Sequence, residues 1–351
     1  VQFRGFIEGY YGNPWSVEDR IDLMKFGGEI KMNQYVFAPK DDPYHNSQWR
    51  DLYPTENLEN IKKLAQAGNE NKCFFVYALH PFMNRPFNFN NYDADLKTVK
   101  AKYLQVIKSG VRQIALLEDD ATGSSAANLS RLLNDLTDWL TNLKNSEYPD
   151  LKTDILYCPN DYMGNGSSAK LKGINASANR QVHMVMTGNA IWGQVTANFA
   201  DNFYNNVASD GVAGRYPYMW VNWPCNDNYK TGLIMGGHNT ILHTRINGRK
   251  YEGIILNPMQ HSEPSKVAIF TAADYCWKPW DAKEEGDQAW EDSFKYIDHV
   301  TALESDSSTA LREVAKHMIY QGPVQTAGRQ AKFEESVDLK NKLAEIQKKV
   351  E

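Results

Sequence analysis

Short apolar runs recur along the chain at 3–8, 34–38, 73–79, 113–117, 154–158, 183–186, 218–221 and 253–256. Each is rich in β-branched and aromatic residues, the composition of a buried strand. Between most of them the pattern changes to a helical period. The clearest case places Leu129, Leu132, Leu133, Leu136, Trp139, Leu140 and Leu143 on one face, an apolar stripe that a helix lays against a core. The first interval opens with Ser16 and has Asp19 three residues on, a helix start, with Ile21 and Met24 turned inward. Strands alternating with helices, eight times over, predict an α/β fold of the (β/α)8 TIM-like barrel type. The intervals 162–178 and 222–249 are richer in Asn, Gly and Ser, so helix is weakly signalled there and loops are expected to shape a site.

After Trp277 the strand pattern stops. Helical stretches are expected at 289–300, 309–319 and 337–350, the last carrying Leu339, Leu343, Ile346 and Val350 at helical spacing. The expected organisation is a barrel over 1–285 followed by a helical appendage over 286–351. An amphipathic helix normally packs on a partner helix, so the appendage reads as the start of a helical bundle.

The polar residues sit in a telling place. Glu8-Gly9-Tyr10-Tyr11 follows the first run, Lys40-Asp41-Asp42 the second, His80 the third, Asp119-Asp120 the fourth and Asn160-Asp161-Tyr162 the fifth. Thr187-Gly188-Asn189 follows the sixth, Trp220 lies near the end of the seventh with Asn222 just beyond, and Asn257 follows the eighth. In a closed barrel the C-terminal strand ends form one rim, so these distant residues converge on one pocket.

Composition narrows the function. The 351 residues, 42% of them hydrophobic, suffice for a large core. A net charge of -5 with scattered Lys and Arg leaves no footprint for a nucleic acid. The longest apolar runs are under ten residues, short of the roughly 20 that span a bilayer, so no membrane segment is expected. Cys73, Cys158, Cys225 and Cys276 are widely spaced, which indicates buried free thiols and neither a zinc site nor a disulfide framework. No cofactor or metal is expected, and oligomeric state is left open.

The chemistry centres on Glu118-Asp119-Asp120, three carboxylates at the end of an apolar strand. Two carboxylates held close cannot both ionise freely, the condition under which one keeps a proton and serves as a general acid. Neighbouring residues of a regular strand point to opposite faces, so both aspartates enter one site only where the strand ends or bends; the bend is expected over Ala121-Thr122-Gly123. A second reading treats Glu118, Asp119, Asp120 and Asp42 as oxygen ligands of Mg²⁺ or Ca²⁺ in a divalent-metal hydrolase.

The segments Gly5-Phe-Ile-Glu-Gly-Tyr-Tyr-Gly-Asn-Pro-Trp15, Tyr35-Val-Phe-Ala-Pro-Lys-Asp-Asp-Pro-Tyr-His45 and Ala115-Leu-Leu-Glu-Asp-Asp120 resemble glycoside hydrolase family 84. That family holds O-GlcNAcases and bacterial β-N-acetylglucosaminidases, some named hyaluronidases. The resemblance implies hydrolysis of terminal β-linked GlcNAc on a glycan or glycoprotein. Catalysis would be substrate-assisted: the 2-acetamido oxygen attacks the anomeric carbon to give an oxazoline, an exception to the two-carboxylate scheme. By the same resemblance Asp119 orients the acetamide N–H and Asp120 is the general acid and base. Gly9 and Lys40 hold the 3-hydroxyl, and Asp227 and Asn257 the 4- and 6-hydroxyls. Tyr162 donates to the acetamide oxygen, Tyr11, Thr187 and Trp220 wall the acetamide methyl, and Asn222 contacts the acetamide or the aspartate pair. Glu118 has no assigned role, and His80, His45 and Asp42 are expected to be structural hydrogen-bonding groups. A GalNAc or hyaluronan-fragment preference is the alternative within the fold. The chain opens at Val1 without a leader and reads as a processed piece, which with this resemblance suggests a bacterial extracellular or cell-surface protein, a cytoplasmic one staying open.

Overall fold

The apolar runs become β1 (Phe3–Glu8), β2 (Gln34–Phe37), β3 (Phe74–Leu79), β4 (Gln113–Leu117), β5 (Ile155–Cys158), β6 (Val182–Met186), β7 (Tyr218–Val221) and β8 (Gly253–Leu256). All pair in parallel, in chain order, and β8 returns to β1 with Gly5 opposite Ile255 to close the barrel. This is the expected (β/α)8 fold. The structure is a computed structural model that describes residues 1–209, 211–228, 232–237, 241–297, 306–318 and 334–350.

Strand alternation sorts the side chains into two cores. Ile7, Val36, Ala38, Val76, Ala78, Ala115, Leu117, Leu156 and Ile255 fill the barrel interior. Their neighbours Phe6, Tyr35, Phe37, Phe75, Tyr77, Ile114 and Leu116 face outward into a larger core beneath the helices. Those helices are α1 (Val17–Glu29), α2 (Thr55–Asn71), α3 (Tyr92–Lys108), α4 (Ala126–Ser146), α5 (Ala169–Ser177), α6 (Ala197–Val207) and α7 (Ser262–Trp277). The Ser16–Asp19 capping box forms as expected, and Leu129, Leu132, Leu133, Leu136 and Leu140 of α4 are fully buried.

Between β7 and β8 the described residues form no α-helix, only a 3-10 turn at Gly248–Lys250; residues 229–231 and 238–240 lie outside the description. Beyond the barrel, α8 (Lys283–Ser293) starts six residues before the expected 289 and gives way to a turn at Phe294. The physical reason is an acidic first turn at Glu284 and Glu285, which complements a helix N-terminus. Residues 298–300 and 319 of the expected stretches lie outside the description. Trp290 of α8 donates to the Met235 carbonyl at 2.7 Å and joins Val267, Phe294 and Ala315 in a satellite core. The last two helices are α9 (Asp306–Ala315) and α10 (Glu334–Val350), and Leu339, Leu343 and Ile346 of α10 are exposed.

Candidate active site

Period-two alternation carries the inward face of each strand up to the rim. Leu117 points inward, so Asp119 does as well and Glu118 points out. By the same parity Ile7 leads to Gly9, Ala38 to Lys40, Val185 to Thr187, Trp220 to Asn222 and Ile255 to Asn257. Asp120 breaks the series. It is the residue that parity would turn outward, and its φ of 56° places it in the left-handed region, which turns the chain so that its side chain enters the same space as Asp119. The bend therefore falls at Asp120, before the expected Ala121-Thr122-Gly123. Asparagine and aspartate tolerate this conformation better than most residues because their short side chains bond locally.

All eleven residues singled out in the sequence line one cavity of about 200 Å³: Gly9, Tyr11, Lys40, Asp119, Asp120, Tyr162, Thr187, Trp220, Asn222, Asp227 and Asn257. The two aspartates differ in surroundings. Asp119 is buried and accepts from Lys40 Nζ at 2.6 Å through Oδ2, while Oδ1 takes no hydrogen bond among the described residues. Burial alone would raise its pKa, but the Lys40 ammonium outweighs that and holds it at about 2. Lys40 is pushed up in return, since Asp119 overcomes the effect of burial. His80 places Nε2 2.6 Å from the Asp119 carbonyl oxygen; a carbonyl only accepts, so Nε2 carries the proton. Burial lowers the pKa of His80 and takes His45, which faces the Ala78 carbonyl at 2.7 Å, down to about 3. Both are neutral braces.

Asp120 is exposed at the cavity mouth. Tyr11 donates to its Oδ2 and Tyr162 to its Oδ1, each at 2.8 Å. Burial, reinforced by the bond to Asp120, raises the Tyr11 hydroxyl to about 12 against the pull of Lys40; both tyrosines are donors at neutral pH. Asp120 thus sits at the wet end of the site, while Asp119 is a fixed anion at the dry end.

The far wall is a connected polar frame. Asn257 accepts from the Gly9 N–H at 3.3 Å and donates to Asn222 Oδ1 at 3.0 Å. That same oxygen accepts from Trp220 Nε1 at 2.9 Å, and Asn222 Nδ2 donates to the Ile191 carbonyl at 2.7 Å. Asp227 Oδ2 accepts from the Tyr11 N–H at 3.1 Å. Gly9 is required here because a Cβ would stand 2.5 Å from the Trp220 ring. Sequence reasoning missed Cys158, Ile191, Trp192, Cys225 and Asn228 as lining residues. Strand parity pointed to Cys158, two residues past inward Leu156, whereas the others lie on irregular loops with no periodic signal.

The four carboxylates of the metal reading do not converge. Glu118 is turned outward onto Tyr157, the Asn160 and Ser124 N–H groups and Lys170, and Asp42 accepts from Tyr53 and the Tyr44 N–H. Asp119 faces an ammonium that would repel a cation. The divalent-metal reading is therefore set aside.

The pattern of the family described as beta-N-acetylglucosaminidase matches residues 4–316. The chain belongs to glycoside hydrolase family 84. Among family 84 relatives, the Protein O-GlcNAcase of Rattus norvegicus and that of Mus musculus are each 28% identical over 282 residues, 77% of this chain and 29% of theirs. The solved structure of CpGH84D is 39% identical with a TM-score of 0.82, over 96% of this chain and 53% of that one. CpGH84B is 28% identical with a TM-score of 0.77, over 91% and 54%. The chain thus spans under a third of the curated relatives and about half of the solved ones.

Proposed function

We propose that this chain hydrolyses terminal β-linked GlcNAc with retention, through an oxazoline formed by the substrate's own acetamide. The observation that carries the reading is the contrast between two adjacent aspartates lining one cavity, a sealed anion paired with Lys40 and an exposed carboxyl between two tyrosine hydroxyls. The relatives named O-GlcNAcase support the same substrate class.

In the first step the acetamide oxygen attacks C1 and the bond from C1 to the leaving oxygen breaks, while Asp120 gives that oxygen its proton. Asp119, held as an anion by Lys40, accepts the acetamide N–H and balances the positive charge that develops on the ring. In the second step water attacks C1, Asp120 takes its proton, and the oxazoline reopens to the acetamide. Two inversions at C1 give net retention. General acid catalysis of this kind contributes roughly 10² to 10⁴ in rate.

The binding roles follow from the groups left free. The Gly9 N–H is used by Asn257, so the backbone group it offers a sugar hydroxyl is its carbonyl, beside Lys40. Asp227 accepts from the Tyr11 N–H through Oδ2 and presents its carboxylate to the 4- and 6-hydroxyls, with Asn257 alongside. For Tyr162 to donate to the acetamide oxygen, its hydroxyl exchanges Asp120 for the substrate. Trp220, Thr187 and Tyr11 close around the methyl group.

An aryl β-GlcNAc series tests the assignment. Asp120→Asn is expected to lose little on substrates with good leaving groups and about 10²-fold or more on poor ones, because only the latter need protonation. Asp119→Asn is expected to lose rate whatever the leaving group and to bind thiazoline inhibitors more weakly. Equal losses for Asp120→Asn across the series would contradict the division of roles, and faster turnover of aryl GalNAc would contradict the Asp227 and Asn257 reading.

A further inference from the structure

Glu118 is fully buried, and its outward direction removes it from the reacting groups. Its carboxylate collects four donors. Oε1 accepts from the Ser124 N–H at 2.8 Å, in the loop that follows β4. Oε2 accepts from the Asn160 N–H at 3.3 Å, in the loop that follows β5, and from Tyr157 of β5 at 2.7 Å. Lys170 of α5 donates to Oε2 at 2.8 Å and also to the Asn160 carboxamide oxygen. The two loops also touch directly, since a Cβ on Gly123 would lie 2.4 Å from the Asn160 side chain. Above this seam the same two loops meet again through Asp120 and Tyr162 at 2.8 Å.

We propose that Glu118, with Lys170, is a positioning pair that fixes the β4 loop against the β5 loop and thereby sets the place from which Asp120 delivers its proton. The proposal rests on the reading of Asp120 as general acid. A charge is needed because the seam joins two N–H groups, a hydroxyl and an ammonium, all donors; only an anion with two oxygens accepts from all of them, and in a buried site such charge-assisted bonds are the strong ones. Removing Lys170 alone would leave the Glu118 carboxylate buried without its cation, whereas removing both leaves no unpaired charge.

The experiment is the leaving-group series on the whole chain, with Glu118→Gln and the double variant Glu118→Leu with Lys170→Met, each checked for cooperative thermal unfolding. The expected result is a steeper dependence on leaving group. Turnover of the poorest leaving group falls roughly 10²-fold, the scale of a 1 Å misplacement, turnover of the best falls far less, and thiazoline affinity, which reports on the Asp119 side, is kept. A folded variant with the wild-type slope, or with an equal loss across the series, overturns the proposal. Where those variants do not fold, Lys170→Gln at a partly exposed helix position is read the same way, and an unchanged slope there overturns it too. Wild-type chain without turnover on any member of the series would instead defeat the functional reading, so the two failures are distinguishable.

Discussion

A carboxyl group sealed from water ordinarily holds its proton more tightly, yet Asp119 is held at about 2 because Lys40 lies 2.6 Å away and overcomes burial. Its folded value lies below the ordinary one, so Asp119 contributes stability at neutral pH that is lost as pH falls through about 2. In Lys40→Met the burial stays and the cation goes. Breaking one side of a buried pair costs about 3–5 kcal/mol, and that cost should shrink on mild acidification, when Asp119 takes a proton. Urea unfolding of variant and parent from neutral to mildly acidic pH checks this, and the acidic limb of kcat/KM should move upward in the variant. At this scale the sequence was informative for residues two apart along a strand, which share a face: Gly9, Lys40, Asp119, Thr187, Asn222 and Asn257 all follow from inward neighbours. The same parity turns Glu118 outward. The left-handed turn at Asp120 and the Lys170 partner, 52 residues from Glu118, have no local signature, because a single dihedral and a long-range ion pair leave no periodicity.

Elements with a strong period were placed closely: β1, β4, β7 and β8 have the expected limits, and β2, β3, β5 and β6 differ by one residue. Where apolar periodicity gives way to Asn, Gly and Ser the outcome divides. The 162–178 interval yields α5, started by Ser168, whose side chain accepts from the Leu171 N–H, while 222–249 yields no α-helix among its described residues. That stretch supplies Asp227, Cys225 and Asn228 to the cavity, so its irregularity serves the site instead of the core. Helix caps offer a test that leaves the site untouched. Ser125 accepts from the Asn128 N–H at 3.2 Å to open α4, directly after the loop that holds Asp120. Ser125→Ala is expected to cost about 1 kcal/mol, measured by thermal unfolding, with kcat unchanged because the Glu118 seam at Ser124 holds the loop independently of the cap. A fall in kcat matching the fall in stability would show that α4 and the seam act as one unit.

Across the whole molecule, chemistry and closure occupy opposite ends of the barrel. The C-terminal rim gathers the aspartates; the N-terminal end is sealed by a buried polar layer in which Gln34 bonds Gln113 at 2.8 Å and Tyr218, and Gln113 bonds Asp154. His183 of β6 completes it, with Nδ1 2.5 Å from Glu252, the residue before β8, and Nε2 3.5 Å from Asp154, the residue before β5. Burial lowers the His183 pKa, but Asp154 and Glu252 more than offset it and raise it to about 9. A folded value above the ordinary one means that the imidazolium stabilises the barrel fully below about 6.5, the usual histidine value, and that this contribution is lost as pH rises through about 9. A shift of that size is worth at most about 3 kcal/mol. The parent is therefore expected to lose stability between those pH values, and His183→Gln to give a flatter profile over the same window while keeping kcat on aryl GlcNAc, since stability at the lower rim and catalysis at the upper rim are separable in this fold. Denaturant midpoints across the window, paired with turnover, decide it: a variant as pH-dependent as its parent would mean that the closure draws its pH response from another group.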